Sequence, residues 1–203
     1  MDKTISLSAI ILAGGQSSRM GQDKALIAFQ GVPLLQQVCE VALKCTAKVY
    51  VVTPWQERYQ DIIPSACLVI REVTNLSETQ RHGPLVGFAQ GLAQIETDWV
   101  LLLACDLPHL QVEVLQLWAK ELENVPQEAI AFLSKQTKGW EPLCGFYRKE
   151  CLPKLTEYIN AGGRSFQGWL SQHTVQELPV SDTKIFFNCN TPADLQVLRE
   201  TKD

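Results

Sequence analysis

Arg19, Lys24 and Asp106 are the residues of this chain whose types and placement suit phosphate chemistry. Arg19 and Lys24 stand in "ILAGGQSSRMGQDKALIAF", Ile11 to Phe29, a polar glycine-rich loop entered straight from an apolar run. Glycines let backbone N–H groups come close to an anion, and a guanidinium and an ammonium add fixed positive charge. A Walker A loop would need a glycine, four residues and then Gly-Lys-Ser/Thr. Here Gly14 and Gly21 are too far apart, and Lys24 does not follow a glycine. The G-x-G-x-x-G turn of dinucleotide folds is absent too. Asp106 follows the apolar run "WVLLLAC", Trp99–Cys105. A carboxylate there either ligates a cation held against phosphate or caps a helix beginning near Leu110. Its place at the end of a central strand, facing the same cleft as the loop, favours the cation.

These residues act together only if the elements around them bring them together. Ser8–Ala13 is a short β-branched and apolar run ending in Gly-Gly, which reads as a buried strand. From Pro33 to Cys45, Leu34, Leu35, Val38, Val41, Ala42 and Cys45 form one helical face, with Pro33 suited to the first turn. Lys48–Thr53 reads as a strand, Trp55–Ile62 as a short helix, Cys67–Arg71 as a strand and Pro84–Ile95 as a helix. Trp99–Cys105 is apolar almost throughout, as a parallel strand covered on both faces must be. Leu110–Leu122 is an amphipathic helix, and Ala129–Ser134 and Pro142–Tyr147 are strands. Helices near Glu150–Asn160 and Phe166–Gln172, a strand at Lys184–Asn188 and a helix from Pro192 complete the reading.

Strand–helix alternation of this kind predicts an α/β fold, a three-layer sandwich with a mostly parallel, Rossmann-like central sheet and right-handed crossovers. No repeat or linker interrupts it, so residues 1–203 read as one domain. Ligands of such sheets bind outside the carboxyl ends of the strands. The first loop, the segment after Arg71, "CDLP" and "NCNTP" all leave carboxyl ends and therefore converge on one cleft.

Composition narrows the classes. A formal net charge of −4 provides no broad basic field for nucleic acid. No apolar run approaches the ~20 residues of a membrane helix, and "MDKTISLSAIILAGG" reads as a first strand rather than a leader. Seven scattered cysteines without a C-x-x-C pair fit a reducing cytoplasm and give zinc little support.

The stretch Leu12–Val38, "LAGGQSSRMGQDKALIAFQGVPLLQQV", resembles the signature of nucleotidyltransferases with the glycosyltransferase-A-like α/β fold. Their loop reads L-A-G/A-G-x-x-x-R-M-G-x-x-K, followed by G-x-P-L. Within that superfamily it is most similar to the molybdenum cofactor guanylyltransferases. Leu-Ala-Gly-Gly is typical of them, whereas cytidylyl- and sugar-nucleotide-forming relatives usually read Leu-Ala-Ala-Gly. Similar blocks follow in order: "GPLVGF" at Gly83–Phe88, "LLLACDLPHL" at Leu101–Leu110, "EPLCGFY" at Glu141–Tyr147 and "FNCNTPADL" at Phe187–Leu195.

The resemblance implies a reaction that joins GTP to the terminal phosphate of molybdopterin with magnesium, giving the guanine dinucleotide and pyrophosphate. Attacking phosphate and α-phosphoryl group are both anions, so catalysis is mostly positioning and charge neutralisation. It implies that Lys24 and Arg19 neutralise triphosphate oxygens and that Asp106 holds Mg²⁺. Leu12, Ala13, Gly14 and Gly15 would meet the nucleotide through their backbone. No side chain need act as a nucleophile. Transient contact with molybdoenzymes or other cofactor-biosynthesis proteins is implied as well.

Several residues keep two readings. Asn188 and Asn190 meet the molybdopterin phosphate or the metal's water shell, or they build a turn and helix start. Many members carry an aspartate just after the third strand; here the nearest acid is Glu72, which either reaches guanine or is a solvated loop residue. Thr53 stands where relatives often have asparagine. Arg164 faces the acidic pterin substrate or flanks a helix, and His82 touches phosphate or is simply solvated. Cys105 reads as a packed strand end. Two alternative functions stay open: a molybdopterin cytidylyltransferase or other enzyme of the superfamily, and a non-catalytic nucleotide or molybdopterin carrier.

Overall fold

Trp99, Leu101 and Leu103 point to one side of a strand and Val100 and Leu102 to the other, and none of the five is more than 1% exposed. A strand apolar on both faces needs cover on both, and the fold supplies it. The computed structural model describes residues 5–14, 23–73, 83–189, 191, 193–194 and 196–197. In chain order the elements are β1 (Leu7–Leu12), β2 (Ala28–Phe29), β3 (Val32–Pro33), α1 (Leu34–Cys45), β4 (Val49–Thr53), α2 (Gln56–Tyr59) and β5 (Leu68–Arg71). Then come α3 (Pro84–Ala93), β6 (Trp99–Ala104), α4 (Val112–Lys120), β7 (Ala131–Gln136), β8 (Gly139–Arg148), α5 (Leu152–Asn160), α6 (Phe166–Leu170) and β9 (Val175–Glu177).

Seven strands form one sheet in the order β5–β4–β1–β6–β8–β7–β9. β8 runs antiparallel to both neighbours and every other pairing is parallel. One face buries Ala9, Ile11, Val51, Leu101, Leu103 and Phe146 under α1 and α4, with Leu35, Val38, Leu115 and Trp118 packed against them. The other buries Ile10, Val52, Val100, Leu102 and Tyr147 under α3, α5 and α6. That is the expected three-layer sandwich.

The chain builds outward from β1 through β4 to β5, then returns to the other side of β1 as β6. Such a reversal opens a crevice at the carboxyl ends of the two strands that flank it. Leu12 is in register with both Val52 and Ala104, so Gly14 and Asp106 each lie two residues past the same level.

One expectation is corrected and one element is new. Lys184–Asn188 is not a strand: Thr183–Phe186 is a 3₁₀ turn capped by Asp182, which accepts from Lys184 N–H. The last strand of the sheet is β9, earlier in the chain. The small β2–β3 hairpin was also not expected. It turns at Gln30 and Gly31, both at positive φ (55° and 81°), the combination a two-residue hairpin requires.

Candidate active site

Past Leu12 the backbone is stitched to both neighbouring strands. Cys105 N–H donates to the Leu12 carbonyl at 3.3 Å and Ala13 N–H to the Val52 carbonyl at 2.9 Å. The Thr53 hydroxyl donates to the Ala13 carbonyl at 2.8 Å and accepts from Trp55 N–H at 3.1 Å. Thr53 is fully buried, and its single O–H is committed to this joint. Its place in the protein is thus structural: it locks the strand end from which the loop departs.

Lys24 and Asp106 meet at this level from opposite sides. Lys24 opens a 3₁₀ turn, Lys24–Leu26, and Asp106 follows β6. The ammonium lies 3.1 Å from Asp106 Oδ2, with the two side chains 19% and 12% exposed. The helix-capping reading of Asp106 fails, because α4 begins at Val112 with Gln111 as its N-cap. Among the described residues no three His, Cys, Asp or Glu side chains gather to hold a metal. A single carboxylate is what Mg²⁺ takes when phosphate oxygens and waters complete its shell, so the residues present fit a nucleotide-bridged ion rather than a protein cage.

Cys189 N–H donates to the Asp106 carbonyl at 3.1 Å, which draws the segment 187–189 alongside the site. The Asn188 amide is turned onto the Phe186 carbonyl at 2.9 Å, the local turn bond of its bland reading. Gly15, Arg19, His82 and Asn190 lie outside the described residues.

Glu72 closes the crevice on the β5 side. Its N–H donates to the Thr53 carbonyl at 2.9 Å, which carries the strand alignment one residue further. Its carboxylate lies between two glycines. A Cβ on Gly14 would stand 2.7 Å from Glu72 Oε2, and one on Gly87 would stand 3.4 Å from both carboxylate oxygens. Burial raises the Glu72 pKa above the usual carboxylate value. Among the described residues no hydrogen bond or ion pair engages this carboxylate, which is half-buried between the two glycines.

Arg164 donates from Nη1 to the carbonyls of Ile159 and Gly163, both at 2.8 Å, and so ties off the end of α5. Asp23, to which residue type alone gave no role, is the most heavily bonded acid beside the site. Its Oδ1 accepts from Ala25 N–H at 3.1 Å, and its Oδ2 accepts from the Tyr59 hydroxyl at 2.8 Å and Arg58 Nη1 at 2.9 Å. The only sequence signal for it is its adjacency to Lys24.

Residues 9–177 match the family model of the MobA-like NTP transferase domain. The chain is 60% identical over 194 residues to "Probable molybdenum cofactor guanylyltransferase" of Nostoc sp., covering 96% of this chain and 91% of that one. The chain belongs to the molybdenum cofactor guanylyltransferase family. A protein of the same name from Synechococcus elongatus is 43% identical over 195 residues, 96% of this chain and 99% of its own. In three dimensions the chain superposes on "Molybdopterin-guanine dinucleotide biosynthesis protein A" from Archaeoglobus fulgidus with a TM-score of 0.74. That match covers 96% of this chain and 97% of the other at 24% identity, a likeness of fold. In this chain the crevice at the carboxyl ends of β1 and β6 is where a lysine ammonium and a carboxylate are brought together.

Proposed function

We infer that the protein transfers GMP from GTP to the terminal phosphate of molybdopterin. A phosphate oxygen of molybdopterin attacks the α-phosphorus of GTP, the bond from that phosphorus to the bridging oxygen of the β-phosphate breaks, and pyrophosphate leaves. The observation that carries this reading is the Lys24–Asp106 pair, 3.1 Å apart at the strand ends where a glycine-rich loop departs. An ammonium and a carboxylate in contact there are a ready partner set for a triphosphate and its cation: Lys24 would meet phosphate oxygens, and Asp106 would hold Mg²⁺. The chemistry the ion would supply there is neutralisation of charge on the phosphoryl oxygens. Arg19 is assigned to the triphosphate as well, and Asn188 and Asn190 to the molybdopterin phosphate or the metal's water shell.

No protein nucleophile is required. The thiol beside the site agrees with that: burial holds Cys105 well above the usual thiol value, so it is not a thiolate at neutral pH. Glu72 is assigned to the base. Guanine presents two adjacent donors, N1–H and the 2-amino group, to a carboxylate acceptor, whereas cytosine pairs its one amino group with an acceptor nitrogen. The backbone of Leu12, Ala13, Gly14 and Gly15 is assigned to the nucleotide as well.

No described helix is long and apolar enough to cross a membrane, and all the cysteines are free. Free cysteines fit a reaction carried out in the reducing cytoplasm. The deciding experiment is pyrophosphate release from purified protein with molybdopterin, Mg²⁺ and either GTP or CTP. A site that hydrogen-bonds one base leaves polar groups unpaired with another, so GTP should lead in kcat/KM by about 100-fold or more. Comparable values would reject guanine selection and leave a nucleotidyltransferase of other base preference.

A further inference from the structure

A lysine ammonium rides on a flexible four-carbon stem. Where it acts is therefore decided by the backbone that carries it, and the backbone of Lys24 is held on both sides. After it, Ala25 is 2% exposed and packed in the core beneath α1. Before it, both oxygens of Asp23 are committed: Oδ1 to Ala25 N–H, across the turn, and Oδ2 to Tyr59 and Arg58 of α2. Tyr59 is 1% exposed, so its hydroxyl has been taken out of water onto Asp23. Arg58 is steadied in turn over the Trp55 ring, 4.6 Å from its centroid. A two-armed brace from α2 thus ends one residue from the lysine.

We propose that Asp23, braced by Tyr59 and Arg58, is a positioning residue for the transfer reaction: it fixes the Lys24–Leu26 turn so that the Lys24 ammonium meets the transferred phosphoryl group. The proposal rests on the reading of Lys24 given above. Asp23 touches no substrate in this scheme; it acts through its neighbour. Releasing the brace lets the turn shift, and a shift of about 1 Å at a catalytic group is enough to cost about 100-fold in rate. Ground-state GTP binding, shared among loop backbone, base wall and several charges, is much less sensitive. The loss therefore falls on kcat and not on KM.

A simple stability tie makes a different forecast, and a double-mutant cycle separates the two. Wild type, Asp23→Ala, Lys24→Ala and the double variant are purified and checked for folding by circular dichroism. Their kcat and KM for GTP are then measured with saturating Mg²⁺ and molybdopterin, using radiolabelled GTP and long incubations for the slow forms. Asp23→Ala should lower kcat by about 30-fold or more with KM within about 3-fold, and by less than about 3-fold when Lys24 is already alanine. Equal losses in both backgrounds, or a lowered melting temperature with kcat intact, would overturn the proposal. If Lys24→Ala alone leaves kcat unchanged, the assignment of Lys24 falls first and Asp23 with it. That outcome is distinguishable from one in which Lys24 matters and Asp23 does not. Should Asp23→Ala fail to fold, Tyr59→Phe removes one O–H and keeps the ring. A lysine-dependent drop in its kcat supports the brace, and wild-type kcat rejects it.

Discussion

Glu72 stands one residue past β5, and its surroundings show how a glutamate is accommodated there. The carboxylate lies where a side chain on Gly14 would otherwise be, since a Cβ there would approach Oε2 to 2.7 Å. Loop glycine and acid are therefore one device. Gly14→Ala should push the carboxylate aside and lower kcat/KM for GTP by about 10-fold or more, the cost of leaving a base donor unpaired. Adding Glu72→Asp, which shortens the acid, should restore part of that loss; steady-state kinetics on the three proteins checks it. The pH dependence has a definite sign. Burial raises the Glu72 pKa in the folded chain, so the native state holds that proton more tightly than the unfolded one. Its contribution to stability is present at low pH and is lost as the pH rises through the raised folded value. GTP binding runs the opposite way, because guanine needs the charged acceptor. Affinity should fall as the pH drops through that raised value, earlier than for an ordinary carboxylate, and Glu72→Gln should flatten the profile in a fluorescence titration. The sequence displays the acid but not the glycines facing it, which only the fold brings alongside. Asp106 was legible as a candidate because it stands two residues past a strand whose burial is written in its composition, and Lys24 because of its residue type in a glycine-rich loop; that the two touch, 82 positions apart in sequence, was not.

Elements were readable where cover on both sides enforces an apolar run, and unreadable where a tertiary contact decides. β6 is the first kind. "KIFFN" is the second: its apolar residues suggest a strand, yet Ile185 and Phe186 are buried in succession on a 3₁₀ turn. Phe186 stacks on Trp118, with ring centroids 6.2 Å apart and planes 17° from parallel. β9 offers three residues, none fully buried, too few for a period. The direction of β8 follows from its connection: only Thr137 and Lys138 separate it from β7, and a link that short permits no parallel crossover. α3 illustrates how close approach fixes an element. A Cβ on Gly91 would lie 2.7 Å from Val52 Cγ2 and 3.2 Å from Ile10 Cδ1, so the helix rides directly on β4 and β1. Gly91→Ala should lift α3 and destabilise the protein by about 1–3 kcal/mol, as overpacking of a dense core does. Chemical denaturation reads that change directly; an unchanged midpoint would mean that the helix and sheet yield without cost.

At the scale of the molecule, the two cores share one sheet, and each strand of its centre contributes to both. Neither half can lose its packing without exposing the other, so the described fold should melt in one transition, with calorimetric and van't Hoff enthalpies equal. Ligands that bind the crevice then stabilise the whole. At 100 times its dissociation constant a ligand adds about 2.7 kcal/mol, which for a domain of this size raises the melting temperature by about 5–10 °C. Mg·GTP should give that shift, and GTP with a chelator should give less. Asp106→Asn keeps the side-chain shape and removes the charge, and no helix cap is lost because Gln111 holds that place for α4. The variant should therefore melt near the wild-type temperature when unliganded, yet lose the increment that Mg²⁺ adds to GTP, together with turnover. An increment retained in full would mean that the metal is held without Asp106, and the crevice between β1 and β6 would then bind the triphosphate by charge from Lys24 and the loop while the cation sits elsewhere.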